Sequence, residues 1–338
     1  MSKAAWVAFR AATAIGIALL SILIFRPESP FRAVLAGYLV VCLPTFRRKM
    51  MRQRLILVWC AGILGMALDA FFRDAPWLYI GFFVLMVTSL LIVASRSRDL
   101  ATMTLLLYGI SGSMPNTYNI DSEAIYDGFF RALNCSIGIL SASIAFLIFP
   151  LRKPPVGTAN LPIRFPVRDT FFIAVVGAAA ICTANLFSSV ITSAFVVFGA
   201  LTWSIALCTQ PREAIMARVV GGICGITASI FFISVICFST NEILYYLASF
   251  IAVVWLCTWV GVQYPAWKPF ANQFVFYFMV EAIMVPRPVH NLHESILIAS
   301  SLYLGVVTAT LLWFLDRLLR SMERMMEPPP LGDRIQGL

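Results

Sequence analysis

Long apolar runs separated by short polar connections dominate this chain. Twelve such runs can be marked, at about 6–25, 31–46, 54–72, 76–94, 99–114, 125–149, 169–186, 189–209, 218–238, 243–261, 270–285 and 295–315. Each is near the length needed to cross a hydrocarbon core roughly 30 Å thick. The runs lack the period-two alternation of a membrane barrel strand. A bilayer also offers no water to satisfy backbone N–H and C=O groups, so the pattern predicts helices. The pairs 6–25/31–46 and 169–186/189–209 contain short members that could instead be partly re-entrant.

Composition sharpens this picture. Of 338 residues, 60% are hydrophobic and 12% charged, and the mean hydropathy is +0.88. Such a chain cannot make an ordinary water-soluble core. Twelve spans of about 20 residues use about 240 positions, which leaves no room for a sizeable soluble domain. The fold class expected is therefore an all-α integral membrane protein of about twelve transmembrane helices. Eight cysteines lie within or at the edge of apolar runs, with no C-x-x-C pair, and read as small buried hydrophobes. Lys3 and Arg10 precede an apolar stretch that resembles a signal peptide, but Arg26, Pro27 and Glu28 follow it. It reads as an uncleaved first span.

The net charge of +9 changes the picture through its distribution. Lys3, Arg47, Arg48, Lys49, Arg52, Arg54, Arg96, Arg98, Arg152, Lys153, Arg164, Arg168, Arg212, Arg218, Lys268, Arg317, Arg320, Arg324 and Arg334 fall on one side of the expected topology. Arg26, Arg32, Arg73 and Arg287 fall on the other. The positive-inside rule then puts both termini in the cytoplasm and requires an even number of spans. Basic residues used in this way, with no aromatic-basic surface motif, argue against nucleic-acid binding. Residues 151–169 hold Pro154, Pro155, Pro162 and Pro166 among four basic residues and read as a cytoplasmic linker. The expected organisation is a six-helix unit at 1–150, this linker, a second six-helix unit at 170–316, and a cytoplasmic tail at 317–338 that opens with a short basic helix.

The two units look alike. Arg10 opens the first span and Arg168 the seventh. Arg54 precedes a helix with Gly62 and Gly65, and Arg218 one with Gly222 and Gly225. Gly138 and Ala142 in the sixth span match Gly305 and Ala309 in the last. Small residues four apart share one helix face and let two backbones approach. Six spans per unit is even, so the units would enter the membrane in the same sense, about an axis along its normal.

Ionisable groups inside spans cost about 2.5–3.5 kcal/mol each at the bilayer centre on insertion scales. Glu281, Asp69, Arg131 and Arg10 stand out. Glu281 could exchange a proton during transport, pair with an arginine such as Arg131, or reach solvent at a helix end; Asp69 is the second proton-handling candidate. Arg131 could attract a carboxylate, since guanidinium binds carboxylates in a two-pronged way, or anchor at the interface beside Asp127. Arg10 is a second anion-attracting candidate, or it could snorkel to the cytoplasmic surface. Asn134, Asn185, Asn272 and Gln273 could line a polar path or bond between helices. His290 and His293 have helical metal-ligand spacing but lie in a short loop with no third strong ligand, so no metal is expected. No phosphate-binding loop, nucleophile elbow, zincin or dinucleotide motif is present. The sequence thus predicts neither an enzyme nor a cofactor.

The duplicated block, with Arg54…Gly62…Gly65 and Arg218…Gly222…Gly225, resembles the fusaric acid resistance and aromatic acid exporter family over roughly residues 5–320. The resemblance implies an inner-membrane efflux subunit of a Gram-negative bacterium. It implies a periplasmic membrane-fusion partner of the HlyD type and small aromatic or amphipathic organic anions as substrates. Longer members carry a soluble region where this chain has only 151–169. The expected mechanism is alternating access between the two six-helix units, driven by the proton gradient, in a monomer or a homo-oligomer. The competing reading is a non-transporting scaffold of an envelope complex.

Overall fold

The computed structural model describes residues 2–25, 31–41, 48–72, 75–97, 123–150, 166–186, 190–239, 243–283 and 291–326. The expected span at 99–114 and most of the 151–169 linker lie outside these. Among the described residues there are eleven α-helices and no strand. In the first half they are α1 (Lys3–Phe25), α2 (Phe31–Val41), α3 (Arg48–Phe72), α4 (Pro76–Ser97) and α5 (Glu123–Ile148). The second half has α6 (Val167–Leu186), α7 (Val190–Thr209), α8 (Arg212–Ser239), α9 (Ile243–Gln263), α10 (Lys268–Ile283) and α11 (Asn291–Met326), with a short 3-10 turn at Pro265–Trp267. Among the described residues five stretches are long and apolar enough to cross a membrane: Lys3–Phe25, Val167–Ala184, Arg212–Ile233, Tyr245–Gln263 and Ser300–Met322. Shorter apolar stretches occur in α2, α4, α5 and α7.

Helix boundaries depart from the apolar runs in an informative way. α3 starts at Arg48 and α8 at Arg212, so Arg54 and Arg218 sit inside helices rather than at the ends of connections. The intervening residues, such as Arg-Lys-Met-Met-Arg-Gln at 48–53, are good helix formers that a hydropathy reading discards. Pro211 lies just before the first residue of α8, where its missing N–H is harmless. The last expected span and the tail helix prove to be one element, α11, since no glycine or proline falls between Gly305 and Met326 to stop it. The expected boundary at 316/317 is therefore not a structural break.

Many hydroxyls within the spans are satisfied locally. Ser136 donates to Ala132 O, Thr183 to Ala179 O, Thr227 to Ile223 O and Thr308 to Leu304 O, all at 2.7–2.9 Å. This back-bonding lets a polar side chain sit in an apolar helix without an unsatisfied donor.

Glycine governs the closest crossings. α2 lies on α5 where Gly37 faces Gly138; a Cβ on Gly138 would overlap Ala33 O and sit 2.7 Å from Gly37 N. α7 lies on α11 in the same manner; a Cβ on Gly305 would overlap Val196 O and sit 2.8 Å from Ala200 N. α8 meets α10 through Gly221 and Gly225, whose added Cβ atoms would come within 2.5 Å of Phe270 O and 2.6 Å of Phe274 O. At these distances backbone, not a flexible side chain, would have to move.

The two halves share their cores. α4 packs on α6, and α9 packs on α1. Tyr79, Phe83 and Val87 form the buried stripe of α4, and the ring of Phe83 sits where Gly177 of α6 leaves space. On α9, Phe250 and Val254 are buried in a cluster that takes Ile15 and Leu19 from α1, Val34 and Tyr38 from α2, and Phe278 from α10. Each half thus sends one helix into the other.

Replacing Gly138 or Gly305 by alanine should destabilise the protein by about 1–3 kcal/mol, the usual range for overpacking. Gly81→Ala should be neutral or stabilising, because nothing lies within 4 Å of a Cβ there and alanine is the better helix former. Thermal unfolding of the detergent-purified variants checks the contrast. Equal effects at all three glycines would contradict the proposed close contacts.

Candidate functional site

Four elements of the second half converge on one cleft. α8 contributes Arg218; α7 contributes Gly199, Thr202 and Trp203; α10 contributes Gln273, Phe276 and Tyr277; α11 contributes Leu302 and Val306. Arg218 lies six residues into α8, about 9 Å along its axis. Its side chain is half-buried, and its Nε is buried without a hydrogen-bond partner among the described residues. The nearest carboxylate in sequence, Glu213, is exposed and five residues away, outside the i±3 and i±4 positions that share a helix face.

The walls around the guanidinium are aromatic and well fixed. Trp203 is 6% exposed, and its Nε1 donates to Thr310 Oγ1 at 2.9 Å. Phe276 stacks on Phe198 at 5.6 Å, and Tyr277 stacks on Tyr303 at 6.0 Å between centroids. Gly222 is what admits this packing: a Cβ there would lie 3.2 Å from the Tyr277 ring and 3.7 Å from Gln273 Cγ. Thr202 Oγ1 donates to Phe198 O or Gly199 O, at 2.8 and 3.1 Å, so its lone pairs, the Gln273 amide and the Tyr277 hydroxyl are neutral polar groups on residues lining the same cleft. The space between these side chains, about 10 Å³ for the centre of a water-sized particle, is enough for about one water.

The residues expected from sequence are not gathered here. Arg10 does not snorkel. It is 3% exposed, with its guanidinium 4.4 Å from the centroid of the Phe146 ring, a cation–π contact between α1 and α5. Asn134 is fully buried in α5, and Asn272 is exposed on α10; neither lines the cleft. The side chains of Asp69, Arg131, Asn185, Glu281 and His293 and the surroundings of Gly65 lie outside what the structure describes, and His290 lies outside the described residues. Glu281 belongs to α10, one helical turn beyond Tyr277. Arg54 is 2% exposed, with Nη1 3.9 Å from Met51 Sδ, and Gly62 is buried farther along α3. Sequence reading named Arg218 only as a repeat landmark. The signal available was an arginine inside an apolar helix with no acidic residue at i±3 or i±4.

A second polar cluster joins the start of α6 to the end of α11. Asp316 binds both Arg168, at 3.5 Å, and Arg320, which also reaches Asp169 at 3.6 Å. These side chains are partly exposed, so each pair is worth about 0–1 kcal/mol. The cluster ties two helix ends together and has the character of a clasp rather than a binding site.

A guanidinium drawn out of water with an unused donor is costly, and an apolar replacement of similar length relieves that cost. Arg218→Met should therefore raise the thermal midpoint, by the equivalent of about 1 kcal/mol or more. A loss as large as that of Gly305→Ala would mean that Arg218 is a structural strut. Comparison with protein-family models, with curated proteins and with solved structures gives no match for this chain.

Proposed function

We propose that this chain is an inner-membrane efflux subunit that exports small aromatic or amphipathic organic acids. The observation that carries this reading is Arg218: a desolvated cation with an open donor, set among aromatic side chains between four apolar helices. Its charge suits a carboxylate, and guanidinium offers that group paired donors. Stability alone gives no reason to bury such a group between apolar helices; beyond its part in the positive-inside bias, ligand binding supplies one.

The proposed architecture is twelve spans in two like-oriented repeats, with both termini cytoplasmic. Repetition of local packing supports it. Tyr79, Phe83 and Val87 of α4 stand 167 residues before Tyr246, Phe250 and Val254 of α9, and Gly138 stands 167 before Gly305. The order of contacts recurs as well: α1 with α2 and α6 with α7, α2 with α5 and α7 with α11, α4 on α6 and α9 on α1. On this topology Arg218 lies toward the cytoplasmic side, where a substrate awaiting export would be captured. The periplasmic HlyD-type partner, the bacterial inner membrane and proton coupling complete the reading, with Glu281 and Asp69 as the proton-handling residues. A homo-oligomer is compatible with it.

Everted vesicles test the proposal. Vesicles containing the protein should accumulate benzoate or a related aromatic acid when the lumen is acidic, and Arg218→Met should reduce that uptake at least tenfold at equal protein level. Flux equal to that of empty vesicles, with a periplasmic partner still co-purifying, would favour the scaffold reading. Glu281→Gln should remove the dependence on the pH gradient; full gradient-driven uptake by that variant would exclude Glu281 from coupling.

A further inference from the structure

The cleft around Arg218 is too small for any organic acid in this conformation, yet its position shows where room can be made. Two helix pairs flank it. α8 and α10 are in backbone contact through Gly221 and Gly225, and α7 and α11 through Gly199 and Gly305. A Cβ on Gly199 would lie 2.9 Å from Leu302 O. Separating either pair would open a void along two backbones, which apolar interiors resist. Contact between the pairs is different in kind. It is made by rings, Phe198 on Phe276 and Tyr277 on Tyr303, and α10 meets α11 over only a small area. Stacked rings can slide or change rotamer; glycine-to-carbonyl contacts cannot.

We propose that this cleft is the closed form of a binding site for one monovalent aromatic carboxylate, and that it opens as α8 and α10 move together away from α7 and α11. The proposal rests on the transport reading for its substrate but not for its geometry. Arg218 takes the carboxylate, with the Gln273 amide as a second donor. The ring enters between Trp203 and the Phe276–Tyr277 edge, where aromatic faces pair favourably. Among the described residues, Arg218 is the sole basic residue lining the cleft, so a second negative charge on the ligand would be buried unpaired. The moving seam lies inside the second half, not between the halves. The halves are held to each other by α4 on α6 and by α9 on α1, which opposes their rocking as separate bodies.

Two measurements on the purified full-length protein test this. The first is equilibrium binding of benzoate, phthalate and benzamide, followed by tryptophan fluorescence and by calorimetry. Benzoate should bind at least tenfold more tightly than the dianion or the neutral amide, and Arg218→Met should abolish the difference while Arg218→Lys keeps part of it. Equal affinity for the three, or unchanged benzoate affinity in Arg218→Met, would overturn the site. The second is oxidative cross-linking of a Thr202→Cys/Gln273→Cys double variant, with each single variant as the control for native cysteines. At benzoate concentrations where tryptophan fluorescence shows the double variant occupied through Arg218, benzoate should lower the cross-linking yield as the seam is wedged open; an unchanged yield with benzoate bound would overturn the opening. Binding without vesicle uptake would leave the site standing and remove the transport reading. Uptake of benzoate that survives Arg218→Met would do the reverse.

Discussion

In a bilayer apolar side chains gain nothing by leaving their solvent, so this chain depends on how closely its backbones can approach. Gly138, Gly305, Gly221 and Gly225 set that approach. Each stands where a carbonyl or amide of the facing helix occupies the space a Cβ would need. Dispersion between two backbones over several residues then replaces the hydrophobic effect as the source of cohesion. Everything larger is arranged around these crossings: the aromatic stripes of α4 and α9, the ring contacts of α10, and the location of the cleft.

Glycine contacts also divide the molecule into parts that hold and parts that give. Under the proposal, helices joined through glycine move as units and helices joined through rings shift. That division predicts motion within the second half, at the ring-lined seam where Arg218 sits. On that proposal the motion differs from the expected alternating access between two six-helix units. The halves exchange a helix each, so their boundary is one of the better packed regions of the structure. The clasp of Arg168, Asp169, Asp316 and Arg320 secures the start of α6 to the C-terminal third of α11.

Much of the fold was legible in the sequence. The all-helical character follows from run length and the absence of alternation, and the match of Gly138-to-Ala142 with Gly305-to-Ala309 marked the two glycine crossings. What sequence reading lost came from treating charged residues as boundaries. Helices propagate through arginine and lysine, so Arg54 and Arg218 were placed in connections although both lie inside α3 and α8. Arg10 was read as an anion-attracting candidate or a residue that snorkels to the surface; it is instead buried with its guanidinium over the Phe146 ring. Trp203 and Tyr277 carried no sequence signal, since aromatic residues are abundant in every span. Only tertiary packing brings them to Arg218.

The central claim, that glycine-joined pairs move as units about the Arg218 cleft, is most directly tested by distances between spin labels carried on non-natural side chains at exposed positions. Labels at Val220 of α8 and Asn272 of α10 report within a pair, and labels at Val220 and Thr209 of α7 report across the seam. Addition of benzoate should lengthen the second distance and leave the first unchanged. A first distance that lengthens as much as the second, or a second that stays fixed in protein with benzoate bound, would contradict the account.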